Sequence, residues 1–289
     1  MILRCGTRTL DLSYPNVMGI LNVTPDSFSD GGRFNSLDTG LQQAEQMLKD
    51  GAHIIDVGGE STRPGAEPVS VQEELDRVIP IVEKIASNLD VAISVDTSTP
   101  QVIEAAAKAG AHMLNDVRAL QREGALEAAA ETDLPVCLMH MQGQPESMQN
   151  NPNYQQVADD VYVFLAQRIQ KCSQAGIDVG RLLVDPGFGF GKTLEHNLKL
   201  LAKLDNLKTL GVPVLVGMSR KSMIGAILQD VDSQGVSLDR PVDQRIDGSV
   251  AAAVIAASKG AHIVRVHDVK QTADAMKVVA AVKQVDRNN

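Results

Sequence analysis

Short apolar runs alternate along the chain with longer segments whose apolar residues recur at helical spacing. In the segment 39–51 the apolar side chains fall on one helical face, and Gly51 follows as a helix stop. The short runs are apolar at consecutive positions, which is typical of strands buried on both faces. We identify eight such runs, at residues 17–23, 53–58, 91–96, 112–117, 136–141, 182–185, 213–218 and 262–267.

The triplet Gly-Ala-His precedes three of these runs, at 51–53, 110–112 and 260–262. Each copy indicates a helix, a glycine stop, a short turn and then a strand. Strands that alternate with helices predict a parallel sheet, and eight units in 289 residues match a (β/α)8 TIM barrel. A doubly wound open sheet is the structural alternative. We predict a single α/β domain, with an N-terminal hairpin over 1–15 and the barrel over 16–285.

Composition and charge narrow the possible partners. The formal net charge is −9, from 36 acidic and 27 basic residues, and no Lys/Arg-rich block interrupts the acidic character. We therefore expect no nucleic-acid partner. The longest apolar run, 250–257, is too short to cross a bilayer, so we expect no membrane partner. The three cysteines lack metal-ligand spacing, which fits a reducing, cytoplasmic compartment.

Polar side chains collect at the C-terminal ends of the predicted strands, where TIM barrels hold their active sites. They are Asn22, Asp56, Asp96, Asn115, His140, Asp185, Lys221, Arg265 and His267. A buried polar group costs about 1–3 kcal/mol when it is unpaired, so folding alone does not call for such a ring. For Asp56 and Asp116 we favour internal pairing. The histidines at the strand starts, His53, His112 and His262, are predicted to be structural.

The ring combines two chemistries. Asp96, Asn115 and Asp185 suit a flat heterocycle with adjacent N–H groups, because a carboxylate accepts two parallel N–H bonds and an amide both donates and accepts. Arg265 and His267 are two residues apart, so both point to one side of the last strand and suit an anion. Arg63 and Lys221 add positive charge near the same strand ends.

The segment "DPGFGFGKT" (185–193) ends like a phosphate-binding loop but does not have its spacing. Pro186 stands where such a loop needs glycine, and proline has no N–H to donate to a phosphate. The dinucleotide pattern fails as well, because Lys192 stands where the third glycine is required. We therefore interpret the segment as a glycine loop that lets a ligand approach Asp185.

Several further stretches make a family resemblance specific. They are "GILNVTPDSFSDGG" (19–32), "DVGGESTRPGA" (56–66), "SVDT" (94–97), "NDV" (115–117), "MHMQGQPESMQ" (139–149), "GMSRKSMIG" (217–225) and "VRVHDV" (264–269). In this order they resemble the dihydropteroate synthase family, which acts in folate biosynthesis. The resemblance implies condensation of 6-hydroxymethyl-7,8-dihydropterin pyrophosphate with p-aminobenzoate, a TIM barrel, Mg²⁺, a homodimer and sensitivity of the family to sulfonamides.

The resemblance also implies roles for single residues. Those at the pterin are Asp96, Asn115, Asp185, Lys221, Met139 and Phe190. Those at the pyrophosphate are Asn22, Thr62, Arg63, Arg265 and His267, with Asn22 also a ligand of Mg²⁺. Those at p-aminobenzoate are Phe28, Pro64, Phe190 and Ser222. The residues with a catalytic role are Lys221, Arg265, His267 and Asp30, the last of which would stabilise a pterin methylene cation.

Two other functions stay open at this point. A methyltetrahydrofolate-dependent corrinoid methyltransferase also holds a pterin in a barrel, but it needs no pyrophosphate site. A non-catalytic pterin-binding paralogue would keep the pterin residues without turnover. The polar stretch 230–245 is predicted to be a surface loop that leaves catalysis undisturbed.

Overall fold

The computed structural model describes residues 1–23, 32–60, 69–143, 148–149, 151–231 and 235–287, with only the backbone of 32–36 and 286–287. The strands in these ranges are β1 (Ile2–Cys5), β2 (Arg8–Asp11), β3 (Asn16–Asn22), β4 (Ile54–Gly58), β5 (Ala92–Asp96), β6 (Met113–Asp116), β7 (Val136–Met139), β8 (Leu182–Asp185), β9 (Leu215–Val216), β10 (Asp230–Val231), β11 (Ser237–Leu238) and β12 (Ile263–Val266).

Helices follow the central strands. They are α1 (Gly32–Lys49), α2 (Val71–Asn88), α3 (Pro100–Ala109), α4 (Ala125–Ala130), α5 (Val157–Gln174), α6 (Leu194–Ala202), α7 (Ser222–Ile227), α8 (Ile246–Ser258) and α9 (Val269–Arg287). Short 3₁₀ turns cover Val179–Arg181, Leu204–Leu210 and Val242–Gln244. Within the described ranges, none of these helices is long and apolar enough to cross a membrane.

Eight strands form one parallel sheet in the order β8-β7-β6-β5-β4-β3-β12-β9. A parallel bridge between Val184 and Val214 brings β9 beside β8, and the Val184 N–H donates to the Pro213 carbonyl at 3.0 Å. The two ends of the sheet therefore meet, which confirms the predicted TIM barrel and excludes the open sheet. The strand positions agree with the apolar runs within a few residues.

The inside of the barrel is apolar at its N-terminal end. Each of the eight strands contributes one residue to this layer: Met18, Ile54, Ala92, Met113, Cys137, Leu183, Leu215 and Ile263. The hairpin β1–β2 packs Leu3, Cys5, Leu10 and Leu12 into the same cluster. The hairpin is confirmed, and it covers the end of the barrel opposite the predicted site.

The Gly-Ala-His repeat builds the entry to three strands. At the third copy Gly260 adopts φ 109°, a left-handed value that ends α8, and the Ala261 N–H returns to the Ala256 carbonyl at 2.9 Å. His262 then donates its backbone N–H to the Val214 carbonyl at 2.8 Å and accepts the Val214 N–H on Nδ1 at 3.1 Å. The other copies pair His53 with Val17 and His112 with Ile93 in the same way. The structural role predicted for these histidines is confirmed.

Candidate active site

We call the apolar layer at the N-terminal end of the barrel the apolar plug. Asp56, Asn115 and Arg265 lie two residues further along their strands than the plug, and Asp96 lies four residues beyond Ala92. Together they form a buried ionic layer. Arg265 of β12 donates from Nε to Oδ2 of Asp56 at 2.6 Å and from Nη2 to Oδ2 of Asp96 at 2.8 Å. Asn115 donates from Nδ2 to the same oxygen of Asp56 at 3.3 Å. Asp56 is completely buried, so its internal pairing is confirmed. Its other oxygen, Oδ1, has no hydrogen-bond partner among the described residues.

The layer changes the proton affinity of its members. Burial raises the pKa of Asp96 to about 7, although the charge of Arg265 opposes the shift. Burial also disfavours the charge of Arg265, but the carboxylates of Asp56 and Asp96 outweigh it and hold the pKa of Arg265 above its usual value. Arg265 therefore stays charged, while burial makes the charged form of Asp96 more costly than in water.

Asp185 ends β8 and faces the glycine loop. Its Oδ1 accepts the Gly187 N–H at 2.7 Å, and burial raises its pKa while the charge of Lys221 opposes that shift. Gly187 has φ 68°, and a Cβ on it would lie 1.9 Å from the backbone oxygen of His140. No other residue fits there, which explains why a glycine must follow the Asp-Pro pair.

Lys221 reaches the same loop from the opposite side. It precedes α7, its Nζ donates to the Phe188 carbonyl, and this nitrogen lies 4.3 Å from the centroid of the Phe190 ring. Burial lowers the pKa of Lys221 to about 8, while the carboxylate of Asp185 opposes the shift. The structure thus brings Asp185, Lys221 and Phe190 together, which is the grouping that the family resemblance implies. Met139 is buried at the end of β7, where it pairs in register with Asp185.

His267 and Arg265, two of the residues expected to bind the anion, lie at different depths in the barrel. His267 lies just beyond β12, where its backbone N–H donates to Ser219 Oγ at 3.2 Å and its Nδ1 lies 3.1 Å from the same oxygen. Arg265 lies deeper, because its guanidinium turns to Asp56 and Asp96. The contacts of Arg265 are therefore to the carboxylates of Asp56 and Asp96, whereas His267 contacts Ser219.

Asn22 and Ser222 lie at the rim. Asn22 is half-buried at the end of β3, and a Cβ placed on Gly58 would lie 3.9 Å both from Asn22 Oδ1 and from Asp96 Oδ2. Ser222 is exposed at the start of α7. The remaining predicted site residues, Phe28, Asp30, Thr62, Arg63 and Pro64, lie outside the described residues.

A set of contacts that the sequence analysis did not predict holds the loop before Lys221. Arg220 has a left-handed φ of 58°, donates from Nε to Asp268 at 2.9 Å, and receives on its carbonyl a bond of 3.0 Å from Arg245 Nη1. Its backbone N–H donates to Ser249 Oγ at 2.9 Å. Arg245 ends the polar stretch 230–245, so this stretch is tied to the site; it also contains the small hairpin β10–β11. No residue pattern signals these long-range bonds.

Comparison with known proteins bears on this site. The profile of the pterin-binding enzyme family matches residues 18–267. A dihydropteroate synthase of Escherichia coli K12 is 58% identical over 280 residues, which cover 97% of this chain and 96% of the relative. It spans the whole arrangement of strands described above, from β3 to β12.

Solved structures agree with the sequence relatives. A Yersinia pestis dihydropteroate synthase in complex with a sulfonamide drug superposes with a TM-score of 0.91 at 58% identity, covering 98% of this chain and 100% of that one. The Xanthomonas albilineans enzyme with 4-aminobenzoic acid gives a TM-score of 0.89 at 48% identity, covering 98% of each chain. Together with the buried carboxylates and cations at the strand ends, these similarities establish that the chain belongs to the pterin-binding enzyme family and, within it, to the dihydropteroate synthases, which are transferases.

Proposed function

We propose that the chain joins 6-hydroxymethyl-7,8-dihydropterin pyrophosphate to p-aminobenzoate, with 7,8-dihydropteroate and pyrophosphate as products. The observation that carries the proposal is the pairing of one cation, Arg265, with Asp56 and Asp96 beside Asp185 and Lys221. This arrangement offers carboxylates to an N–H-rich ring and cations to an anion within a single pocket.

Asp185 and Lys221 provide most of the ring recognition in this proposal. Asp185 keeps one oxygen on the Gly187 amide, which orients the carboxylate to accept two N–H bonds from the 2-amino and N3 side of the pterin. Lys221 donates to O4 and N5. Asp96 and Asn115 contact the remaining polar edge, and Met139 and Phe190 pack against the faces of the ring.

The reaction proceeds by a dissociative substitution. The C–O bond to pyrophosphate breaks with its electron pair leaving on oxygen, and the positive charge on the methylene is delocalised into the dihydropterin ring. The aniline nitrogen of p-aminobenzoate then forms the C–N bond and releases a proton to water. Arg265 and His267, with Asn22, Thr62 and Arg63, stabilise the leaving charge, which grows in the transition state. Asp30 stabilises the cation.

The residues at the rim fit Mg²⁺ as a cofactor. The described residues contain no cluster of three or more His, Cys, Asp or Glu that could enclose a metal ion. Mg²⁺ prefers a few hard oxygen ligands supplemented by water and substrate phosphate, and the amide oxygen of Asn22 suits such a site. When bound, Mg²⁺ supplies charge neutralisation for the departing phosphate oxygens.

The second substrate binds near Phe190 and Ser222. Phe190 is half-buried under the Lys221 ammonium and Ser222 is exposed, so an aromatic ring and its carboxylate can meet an apolar face and a polar end. Phe28 and Pro64 complete the ring contacts in this proposal. We propose that sulfonamides occupy the same place, supported by the drug complex of the Yersinia pestis relative.

We also propose that the chain forms a homodimer in the cytoplasm. Four large apolar side chains are exposed on two packed neighbouring helices: Ile255 on α8 and Val278, Val282 and Val285 on α9. Soluble proteins seldom expose an apolar surface of this kind unless a partner covers it, and a second copy of the chain is the partner that we propose. The free thiols of Cys5, Cys137 and Cys172 support a reducing compartment. Light scattering should give twice the chain mass for the wild type and a monomer for Val282→Lys.

One assay tests the proposed reaction. Pyrophosphate release from the pterin pyrophosphate is measured with and without p-aminobenzoate, in the presence of Mg²⁺. We expect release that depends on p-aminobenzoate and yields one dihydropteroate per pyrophosphate. Pterin binding without release would indicate the non-catalytic paralogue instead, and methyl transfer from methyltetrahydrofolate would indicate the corrinoid-linked enzyme.

A further inference from the structure

Lys192 is a buried lysine in the Gly-Lys-Thr end of the glycine loop, and no step of the proposed reaction uses it. Only 3% of its surface is exposed. Its ammonium nitrogen lies 2.9 Å from His140 Nδ1 and donates to the carbonyls of Gly187 at 2.8 Å and Phe190 at 3.0 Å. In a phosphate-binding loop the corresponding lysine reaches out to the ligand. Here it turns inward to the loop that carries it.

The acceptors around Lys192 are enough for all of its donors. An ammonium group has three N–H bonds and no acceptor. The three shortest contacts of Lys192 go to His140 Nδ1 and to the carbonyls of Gly187 and Phe190, and the His140 carbonyl lies further away at 3.5 Å. Burial lowers the pKa of Lys192, while the carboxylate of Asp185 favours its charge. A cation this deeply buried is tolerated only with complete hydrogen bonding, so its stability depends on the acceptors of His140, Gly187 and Phe190.

Lys192 and Lys221 bind different backbone carbonyls of the same glycine loop. Lys192 donates to the carbonyls of Gly187 and Phe190, whereas Lys221 donates to the carbonyl of Phe188, which lies between them in the chain. With its carbonyl turned to Lys192, Gly187 presents its N–H to Asp185. The Asp185 carboxylate and the Lys192 ammonium are thereby linked through a single residue, Gly187, whose N–H and carbonyl bind one each.

His140 extends this anchor to the end of β7. Burial, with the nearby charge of Lys192, lowers the pKa of His140 to about 2, so its ring stays neutral and Nδ1 can accept from the ammonium. The ring meets Phe164 edge-on, with centroids 4.9 Å apart. A second bond fixes the loop nearby, from the Tyr154 hydroxyl to the Gly191 carbonyl at 2.7 Å. Lys192 is thus bonded both to the loop that it ends and to His140, which follows β7.

We propose that Lys192 is a positioning residue for pterin binding, which holds the loop 186–191 in the shape that orients Asp185 and Phe190 without touching the substrate. The inference rests on the pterin site proposed above. It assigns to the Gly-Lys-Thr sequence a role opposite to that of a phosphate-binding loop, since the lysine binds main-chain oxygens of its own segment.

The direct test uses Lys192→Met, which keeps the length of the side chain and removes the donors. The control is Lys199→Met, on the exposed face of α6, where the lysine pairs with Glu195. Affinity for 6-hydroxymethylpterin is measured by calorimetry beside a thermal melt. We expect Lys192→Met to bind the pterin about tenfold or more weakly, because buried acceptors are left unpaired in the loop, and Lys199→Met to match the wild type.

A merely structural lysine would behave differently. It would lower the melting temperature and the binding stoichiometry but leave the dissociation constant of the folded fraction unchanged. That result for Lys192→Met would overturn the proposal. Failure of the wild type to bind the pterin would refute the proposed site itself, so the two failures are distinguishable.

A second pair of variants decides the matter if Lys192→Met does not fold. His140→Asn keeps an acceptor near the position of Nδ1, whereas His140→Leu has a similar size and no acceptor. We expect His140→Leu to bind 6-hydroxymethylpterin several-fold more weakly than His140→Asn, because the acceptor at this position holds Lys192 against β7. Equal affinities of the two folded variants would overturn the proposal.

Discussion

The two ends of the barrel are built by the same strands with opposite chemistry. On β12 Ile263 is buried in the apolar plug, and two residues later Arg265 joins the ionic layer; on β4 Ile54 and Asp56 repeat the change. Two residues along a strand are about 7 Å. The N-terminal end is closed by the hairpin and carries stability, whereas the C-terminal end holds charges that are costly to bury. The apolar side chains that stabilise the barrel and the charged side chains of the site therefore occupy adjacent inward-facing layers.

Histidines make the same comparison within one residue type. At the N-terminal end, His53, His112 and His262 each bind one residue of a neighbouring strand through both a backbone and a ring contact. At the C-terminal end, His140 and His267 contact side chains of the site, namely those of Lys192 and Ser219. Substitutions at the two ends should consequently affect different measurements.

Arg265→Ala should have the largest effect and touch both properties. It removes the cationic partner of the fully buried Asp56 and leaves only the Asn115 amide, and breaking a buried ion pair costs about 3–5 kcal/mol. We also expect a lower kcat, because the leaving charge loses a cation. Denaturant unfolding and steady-state kinetics measure the two effects. Arg240→Ala, which breaks an exposed pair with Asp230, is the control and should change little.

Asp185→Ala should abolish most pterin affinity without a matching loss of stability. Two hydrogen bonds to a carboxylate contribute about 3 kcal/mol or more, which is roughly 100-fold in the dissociation constant. The fold loses little, because the buried charge itself is costly, as the raised pKa of Asp185 indicates. Calorimetry with the pterin measures the change. Asp185→Asn, which keeps one acceptor, should lie between; near wild-type affinity in the alanine variant would contradict the assignment.

His262→Ala should affect stability alone. It leaves the Val214 N–H without its ring acceptor, at a cost of about 1–3 kcal/mol in the free energy of unfolding. The folded fraction should keep its kcat. His267→Ala, at the other end of the same strand, is the matched comparison and should lower kcat with a small change in stability. A damaged kcat in His262→Ala at unchanged stability would show that the barrel direction is wrong.

The smallest effect should appear in the pH dependence of His262→Asn. Burial lowers the pKa of His262 from 6.5, so the unfolded chain binds a proton below pH 6.5 that the folded chain does not. This contribution to stability is present above pH 6.5 and is lost as the pH falls towards the folded pKa. Asparagine keeps an acceptor and does not titrate. Melts below pH 6.5 should therefore show a shallower acid loss, by at most about 1.4 kcal/mol per pH unit. Identical slopes would contradict the assignment of a neutral His262 ring that accepts the Val214 N–H.

Much of the architecture could be predicted from local patterns. The apolar runs correspond to β3 through β9 and β12, and the polar residues after them lie at one end of the barrel. The burial of a strand on both faces and the glycine stop of a helix are properties of a few consecutive residues, which is why the pattern of the chain determined them. The same pattern placed Asp185 and Lys221 at one end of the barrel, whereas Phe190 was expected there only from the family resemblance.

Only the closed barrel decided which charges meet. Arg265 is 209 residues from Asp56 and 169 from Asp96 in the chain, and no spacing predicts that its guanidinium binds both. The contact between Lys192 and His140, which are 52 residues apart, and the bond from Arg245 to the Arg220 carbonyl, across 25 residues, are also not signalled by spacing. Ion pairs and hydrogen bonds act over a few ångströms, so they depend on the distances that β-sheet closure imposes and not on the order of residues along the chain.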